Sequence, residues 1–493
     1  MALKFGTSGV RGLVTEMTDL ECALYTRAFI IYLKSAGYAA AVTLAGDFRS
    51  STPRILKAVA FAIEDEGLAV DFCGFIPTPA LAAYSLERAE AGIMVTGSHI
   101  PDDRNGIKFY MPSGEVLKRD EQEISGFYSR LKGGLKDKTA AAAVFNGEGY
   151  LKEEFIPRLG EANVRAEESY KERYLRYFKQ GALAGLKLVV YEHSSVARDI
   201  LPGILAGLGA EVIRVGRSES FVPVDTEAVE EPERLAKWVA DYSADALLTA
   251  DGDGDRPLLV DENGGVVRGD ILGILVAEYL RADSISTPVS SNTALEKSGS
   301  FDFIERTKIG SPHVIASMLK AAGGGYKRVV GYEANGGFLT ASDMINPETG
   351  AEMKALPTRD AALPLIAALL LAKERGTRLS QLIAGLPPRF TCSGIIRNFP
   401  SEAGRAVVGK FEKEGRLHAD KYFAAVFGAA VSLDLTDGAR ITFAGGNIVH
   451  LRPSGNAPEF RCYTESSTEE EATENNRKAI EIIRTILRED AAV

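Results

Sequence analysis

The chain has 493 residues, 45% of them hydrophobic and 25% charged, the balance of an ordinary globular protein. A net charge of −10, from 57 basic and 67 acidic residues, argues against nucleic acid as a partner, and four scattered cysteines with no C-x-x-C pair suit reduced thiols. The opening residues lack a basic stretch followed by an apolar core, and the longest apolar run, 361–372, is too short for a bilayer and contains Pro364. A cytoplasmic protein of roughly three to four domains, at about 100–200 residues each, is therefore expected, with no membrane contact and no protein partner evident.

Strands alternate with helices over the first three quarters of the chain. The pattern predicts a strand at 40–45, a helix at 53–66, a strand at 69–72, a helix after Pro77 and a strand at 91–95. The series recurs as strand 186–191, helix 198–208, strand 211–215, a helix through 237–242 and strand 246–248. A looser third copy has 289–291, 307–311, a helix at 314–321 and a strand at 328–331. Each copy ends in a polar, Gly-rich loop directly after a strand, where sheets of this kind bind ligands. Residues 132–168 read as an interdomain connection carrying extra helix. Beyond Pro387-Pro388 the pattern changes to strands at 391–397, 430–435 and 439–443, with a closing helix at 469–488. The expected domains are 1–155, 156–268, 269–384 and 385–493.

The first of these loops follows strand 91–95 and gathers Thr96, Ser98, His99, Asp102, Asp103, Arg104 and Lys108. Residues 94–110 are read as an active loop that packs no core, with Gly97 leaving room for a bulky partner at the Ser98 oxygen. It is not a nucleophile elbow, which needs glycine where Thr96 stands. The second loop, Asp251-Gly252-Asp253-Gly254-Asp255-Arg256, places three carboxylates at alternating positions. They repel one another unless a cation lies between them, and oxygen-only ligands select a hard ion such as Mg²⁺ or Ca²⁺. An EF-hand would use Glu262 as its twelfth position, but Arg256 replaces the required glycine and 257–260 reads as a strand. A solvated acidic turn is the competing reading. The third loop is Glu333-Ala334-Asn335-Gly336-Gly337. Near the C-terminus, Arg452-Pro453-Ser454-Gly455-Asn456, with Arg461, has the composition of a phosphate cradle or, equally, of a turn.

Together with Phe5-Gly6-Thr7-Ser8-Gly9-Val10-Arg11-Gly12, these motifs stand in the order and spacing of the α-D-phosphohexomutase family, which the whole chain resembles. The resemblance implies an α/β protein of four domains around a central cleft, three with similar mixed sheets and a smaller α+β fourth. It also implies that Ser98 is the phosphoserine and that Asp251, Asp253 and Asp255, with Ser98, hold Mg²⁺. Arg11, Lys108 and His99 would flank the reacting hydroxyl. Glu333, Asn335, Gly336 and Arg256 would read the sugar, and Arg452, Ser454, Gly455, Asn456 and Arg461 would hold its non-reacting phosphate.

The implied reaction moves a phosphate between O1 and O6 of a hexose through a hexose 1,6-bisphosphate, which also serves as activator. Lys108 is favoured over Arg11 as base because an arginine's pKa exceeds about 12, and His99 suits a loop-ordering bond. Many bacterial family members carry Glu-x-Ser-Gly-His where this chain has Glu333-Ala334-Asn335-Gly336-Gly337, and the closing motif has Asn456-Ala457 where Thr-Glu is common. The expected substrate is a mannose phosphate, with glucose phosphates possible in addition. A phosphoglucosamine mutase and a non-catalytic phosphosugar-binding protein are the alternatives.

Overall fold

A computed structural model describes residues 3–6, 9–38, 41–134, 142–454 and 459–491. Three sheets share one plan. In the first, Val42–Gly46 pairs in parallel with Val70–Gly74 and Ala91–Val95, and Arg104–Met111 then lies antiparallel to Ala91–Val95. In the second, Lys187–His193 pairs in parallel with Glu211–Arg217 and Ala246–Ala250, and Pro257–Asp261 runs antiparallel to the last. In the third, Ser284–Pro288 pairs in parallel with Ile304–Thr307 and Val329–Tyr332, followed by antiparallel Phe338–Thr340 and Leu356–Asp360. The loop from the third parallel strand to its antiparallel neighbour is, in each case, the motif loop: 96–103, 251–256 and 333–337. The fourth sheet, Phe390–Arg397, Glu459–Ser466, Ile448–Pro453, Ala439–Phe443 and Ala430–Asp434, is wholly antiparallel.

Two expectations need correction. Residues 94–110 are not one loop. Arg104–Met111 is a strand whose Ile107 and Phe109 enter the core, leaving 96–103 as the turn of a broad hairpin. Ile107, Phe109 and Met111 alternate with Lys108 and Tyr110, but the polar Arg104, Asn105 and Lys108 make the stretch read as loop, although Asn105 and Lys108 are buried with the rest. The third copy begins at Ser284–Pro288, not at 289–291. This strand looks polar, but Ser286 Oγ bonds Ser317 Oγ, and Thr287 Oγ1 donates to the Tyr332 carbonyl. Two of its three hydroxyls are thus satisfied inside, Ser284 Oγ being the one without a hydrogen-bond partner among the described residues.

The apolar run at 361–372 becomes the helix Ala362–Glu374, buried through Ala372 and packed on the helix Gly269–Tyr279. Pro364 is tolerated there because it falls in the first turn, whose N–H groups have no intrahelical acceptor. Each of its buried leucines contributes about 1.5–3 kcal/mol relative to exposure. This helix belongs to a core that continues from the first sheet unit into the third, through Tyr84, Tyr170, Leu188, Leu272 and Ile366. The fourth sheet has a separate core around Phe411, Phe423 and Phe460. The first three units are thus welded together, and the last is attached. No described helix is long and apolar enough to cross a membrane.

Candidate active site

The Ser98 turn is held from beneath by two residues that sequence reasoning passed over. Asp47, after the strand Val42–Gly46, is fully buried and accepts bonds from Thr96 Oγ1 (2.7 Å) and Gly97 N (3.2 Å). Arg49, also buried, pairs with Asp47 at 3.2 Å. Its two terminal nitrogens donate to the carbonyls of Pro101 (2.6 Å), Arg104 (3.0 Å), Ser98 (2.8 Å) and Ile100. The space at Gly97 therefore serves Arg49 and not a substrate: a Cβ there would lie 2.5 Å from the guanidinium carbon. With the turn so clamped, Ser98 is held at φ +58°, a conformation that non-glycine residues rarely adopt. Arg49→Met leaves Asp47 buried without its cation and is expected to destabilise the protein by about 3–5 kcal/mol. Urea denaturation of the variant checks this, and a loss under about 1 kcal/mol would contradict the clamp.

Ser98 and the aspartate loop meet directly. Ser98 Oγ donates to Asp251 Oδ2 at 2.5 Å, although the two residues lie 153 positions apart. Asp251 Oδ1 accepts the Asp255 and Arg256 N–H groups at 3.1 and 3.2 Å. Lys108 Nζ lies 2.6 Å from Asp253 Oδ2 and 2.7 Å from Asp255 Oδ2. Thr78, which opens a helix of the first unit, bonds both the carbonyl and Oδ2 of Asp253.

Ligand oxygens of Asp251, Asp253 and Asp255 lie within 4.8 Å of one another, and all three side chains are buried. Oδ1 of Asp253 and Oδ1 of Asp255 have no hydrogen-bond partner, a costly state for buried carboxylate oxygens. Burial and the Asp253 and Asp255 charges push the Asp251 carboxyl well above the usual carboxylate range. At Asp255, burial also works upward, but Arg359, Lys108 and Arg256 outweigh it and hold the carboxyl below that range. Two orphaned hard oxygens beside a third carboxylate and a hydroxyl fit a divalent oxygen-seeking cation such as Mg²⁺. The EF-hand alternative fails structurally. Pro257–Asp261 is a strand, and Glu262 turns away to accept bonds from Ser380.

Around this centre stand Arg11, Arg256 and Arg359. Burial, reinforced by Arg256 and Arg359, lowers the Arg11 guanidinium to about 10. His99 Nδ1 faces Arg256 Nη1 at 2.8 Å and Ser98 Oγ at 3.3 Å. Burial, with Arg256 and Arg11 adding to it, pushes the imidazole down to about 2. A neutral His99 whose Nδ1 accepts from Arg256 suits loop ordering and is poorly placed to accept the Ser98 proton.

The Glu333 turn reaches the same centre through Arg359, whose Nη1 is 3.1 Å from Glu333 Oε2. Asn335 is committed to its own turn, its Oδ1 accepting Gly337 N at 2.9 Å, while its carbonyl accepts Thr226 Oγ1. Gly336, at φ +89°, supplies the left-handed residue that this tight turn requires.

Arg452 and Arg461 stand apart from this cluster, on the fourth sheet. They are direct cross-strand partners on Ile448–Pro453 and Glu459–Ser466, an arrangement that is unfavourable for like charges unless an anion joins them. Arg452 Nε lies 3.0 Å from Asp437 Oδ2, which also accepts Ile309 N and so ties the fourth sheet to the third unit. Ser454 is buried, its N–H bonded to the Glu459 carbonyl. Gly455 and Asn456 lie outside the described residues.

Comparisons with known proteins point the same way. Residues 2–132, 168–265 and 268–390 match the α/β/α domains I, II and III of phosphoglucomutase/phosphomannomutase, and 410–481 match the C-terminal domain of the same family. A phosphomannomutase of Sinorhizobium fredii is 44% identical over 94% of this chain and 95% of its own length. A phosphoglucosamine mutase of a Thermoanaerobacter species is 30% identical over 78% of this chain and 81% of its own. The crystal structure of a putative phosphomannomutase from Thermus thermophilus superposes with a TM-score of 0.72, covering 99% of each chain at 20% identity, which establishes a shared fold.

Proposed function

Because the chain belongs to the phosphoglucomutase/phosphomannomutase family and is a phosphohexomutase, we propose that it interconverts hexose 6-phosphate and hexose 1-phosphate through phospho-Ser98, with mannose phosphates preferred. The observation that carries this reading is the buried junction of the Ser98 hydroxyl with the aspartate triad, beside Lys108 and three arginines. The preference for mannose rests on the 44% identical phosphomannomutase, against 30% for the glucosamine relative.

The free hydroxyl of the bound monophosphate attacks phosphorus on phospho-Ser98. The bond to Oγ breaks as the bond to the sugar oxygen forms, which leaves hexose 1,6-bisphosphate and serine. The bisphosphate turns over in the cleft and returns its other phosphoryl group to Ser98. The proton of the attacking hydroxyl is assigned to the Arg11–Lys108 pair and passes on to the departing Ser98 Oγ; burial lowers the Arg11 guanidinium to about 10. Arg256, Arg11 and Lys108 oppose the negative charge gathered on the phosphoryl oxygens, and the protein's remaining task is positioning. Asp251, Asp253 and Asp255, with an oxygen of phospho-Ser98, would hold Mg²⁺, which when bound adds positive charge at those oxygens. Glu333 and the Nδ2 of Asn335, whose Oδ1 alone is taken by its own turn, read sugar hydroxyls, and Arg452, Ser454 and Arg461 hold the phosphate that is not reacting.

The test is isomerisation of mannose, glucose and glucosamine 1-phosphates with Mg²⁺ and a trace of hexose 1,6-bisphosphate, with free phosphate followed in parallel. Conversion of the mannose substrate with the highest kcat/KM and no phosphate release is the expected result. Faster glucosamine conversion would overturn the substrate assignment, and absence of all conversion the mutase. In the same assay Arg452→Ala is expected to raise KM by about tenfold to a hundredfold with kcat little changed, the loss of one charge-assisted contact. An unchanged KM would show that the segment is only a turn.

A further inference from the structure

Arg359 belongs to none of the motifs read in the sequence, yet the metal loop and the Glu333 loop meet through it. It stands on the strand Leu356–Asp360 with 2% of its surface exposed. Nε and Nη2 lie 3.2 and 3.1 Å from Asp255 Oδ2, and Nη1 lies 3.1 Å from Glu333 Oε2. The next residue, Asp360, faces the opposite way and accepts the hydroxyls of Tyr170 and Tyr174 from the helix Arg165–Tyr177. The strand end is thereby pinned to the second unit, and the guanidinium is fixed in register with both loops.

The contacts divide each carboxylate. On Asp255, Oδ2 is occupied by Lys108 and Arg359, while Oδ1 is buried with no hydrogen-bond partner among the described residues, its nearest charge being Arg256 Nε at 3.7 Å. On Glu333, Oε2 is occupied, while Oε1 accepts no hydrogen bond from a described residue. A rigid planar fork donates from separate nitrogens in fixed directions and so spans acceptors on two different loops, whereas an ammonium such as that of Lys108 holds only acceptors that converge on one atom. Gly337 makes room for it, because a Cβ there would lie 2.4 Å from Arg359 Cδ. A side chain at 337 and the Arg359 stem exclude one another.

We propose that Arg359 is a positioning residue that couples sugar recognition to metal binding, by presenting Glu333 Oε1 to substrate and Asp255 Oδ1 to the cation, in space that Gly337 leaves open. The inference rests on the function proposed above. It predicts that Arg359 acts on the sugar through Glu333 and on the metal independently of Glu333. Four proteins test it: wild type, Arg359→Met, Glu333→Gln and the double variant, each measured for KM on the preferred hexose phosphate and for Mg²⁺ binding by titration calorimetry.

Arg359→Met is expected to raise KM by on the order of tenfold or more and to weaken Mg²⁺ about tenfold, whereas Glu333→Gln raises KM and leaves Mg²⁺ affinity unchanged. The double variant should exceed the worse single change in KM by less than about threefold, since residues acting as one unit are not additive. Multiplicative KM effects, or Mg²⁺ affinity within about twofold of wild type in Arg359→Met, would overturn the proposal. Should Arg359→Met fail to fold, Arg359→Lys replaces it. The lysine keeps the charge but not the fork, so it must still weaken Mg²⁺; full retention of both constants refutes the coupling. If wild type converts no hexose phosphate, the proposed function fails and takes the KM half with it, while the calorimetry still decides the metal half.

Discussion

Replacing Ser98 by alanine is expected to lower mutase turnover by about four to six orders of magnitude, the range seen when a nucleophile is removed from a preorganised site. Stability should change little, because the turn is held by Asp47 and Arg49 and not by the serine side chain, whose bonds reach only Asp251 and His99. Read from its spacing alone, Thr96 is a conceivable stand-in. It is already engaged: its Oγ1 donates to Asp47 and accepts the Ser98 N–H. Wild-type protein should carry a fraction about 80 Da heavier, the mass of one phosphoryl group, on the peptide containing residues 96–108. ³²P from hexose bisphosphate should label that peptide and chase into monophosphate. Full turnover with no labelled enzyme at any time would exclude the phosphoserine route.

Loss of the metal should be nearly as severe. EDTA, or the double change Asp253→Asn with Asp255→Asn, is expected to reduce activity by at least about a thousandfold, on the order of what a Lewis-acid contribution of several kcal/mol supplies. The physical basis is the pair of buried Oδ1 atoms that no protein donor satisfies. A second readout is independent of catalysis. Mg²⁺ at about a hundred times its Kd should stabilise the wild-type fold by roughly 2.7 kcal/mol and raise its Tm. The double variant should show no such rise, since its amides remove the charge that binds the ion. Undiminished activity in EDTA would refute the metal assignment. A Tm rise of equal size in the variant would place the ion elsewhere.

What the sequence determined by itself was whatever is written within a few consecutive residues. Ser98 after its strand, three aspartates two positions apart, and Glu333 at the same place in a third repeat were all legible because each motif is local, and the α/β repeat follows from alternating patterns of apolar residues. What only the tertiary structure decided are the partners that arrive from far along the chain: Arg49 beneath Ser98 from 49 residues away, Lys108 on Asp253 from 145, and Arg359 on Asp255 from 104. A lone arginine in an ordinary strand carries no mark of its destination. Buried polar groups misdirect other signals: Arg104–Met111 reads as loop because Asn105 and Lys108 are polar, although both are buried in a strand, and Ser284–Pro288 hides two satisfied hydroxyls behind a polar composition. The energetic stake of such groups lies in being desolvated and paired at once, and that pairing exists only after the units have packed.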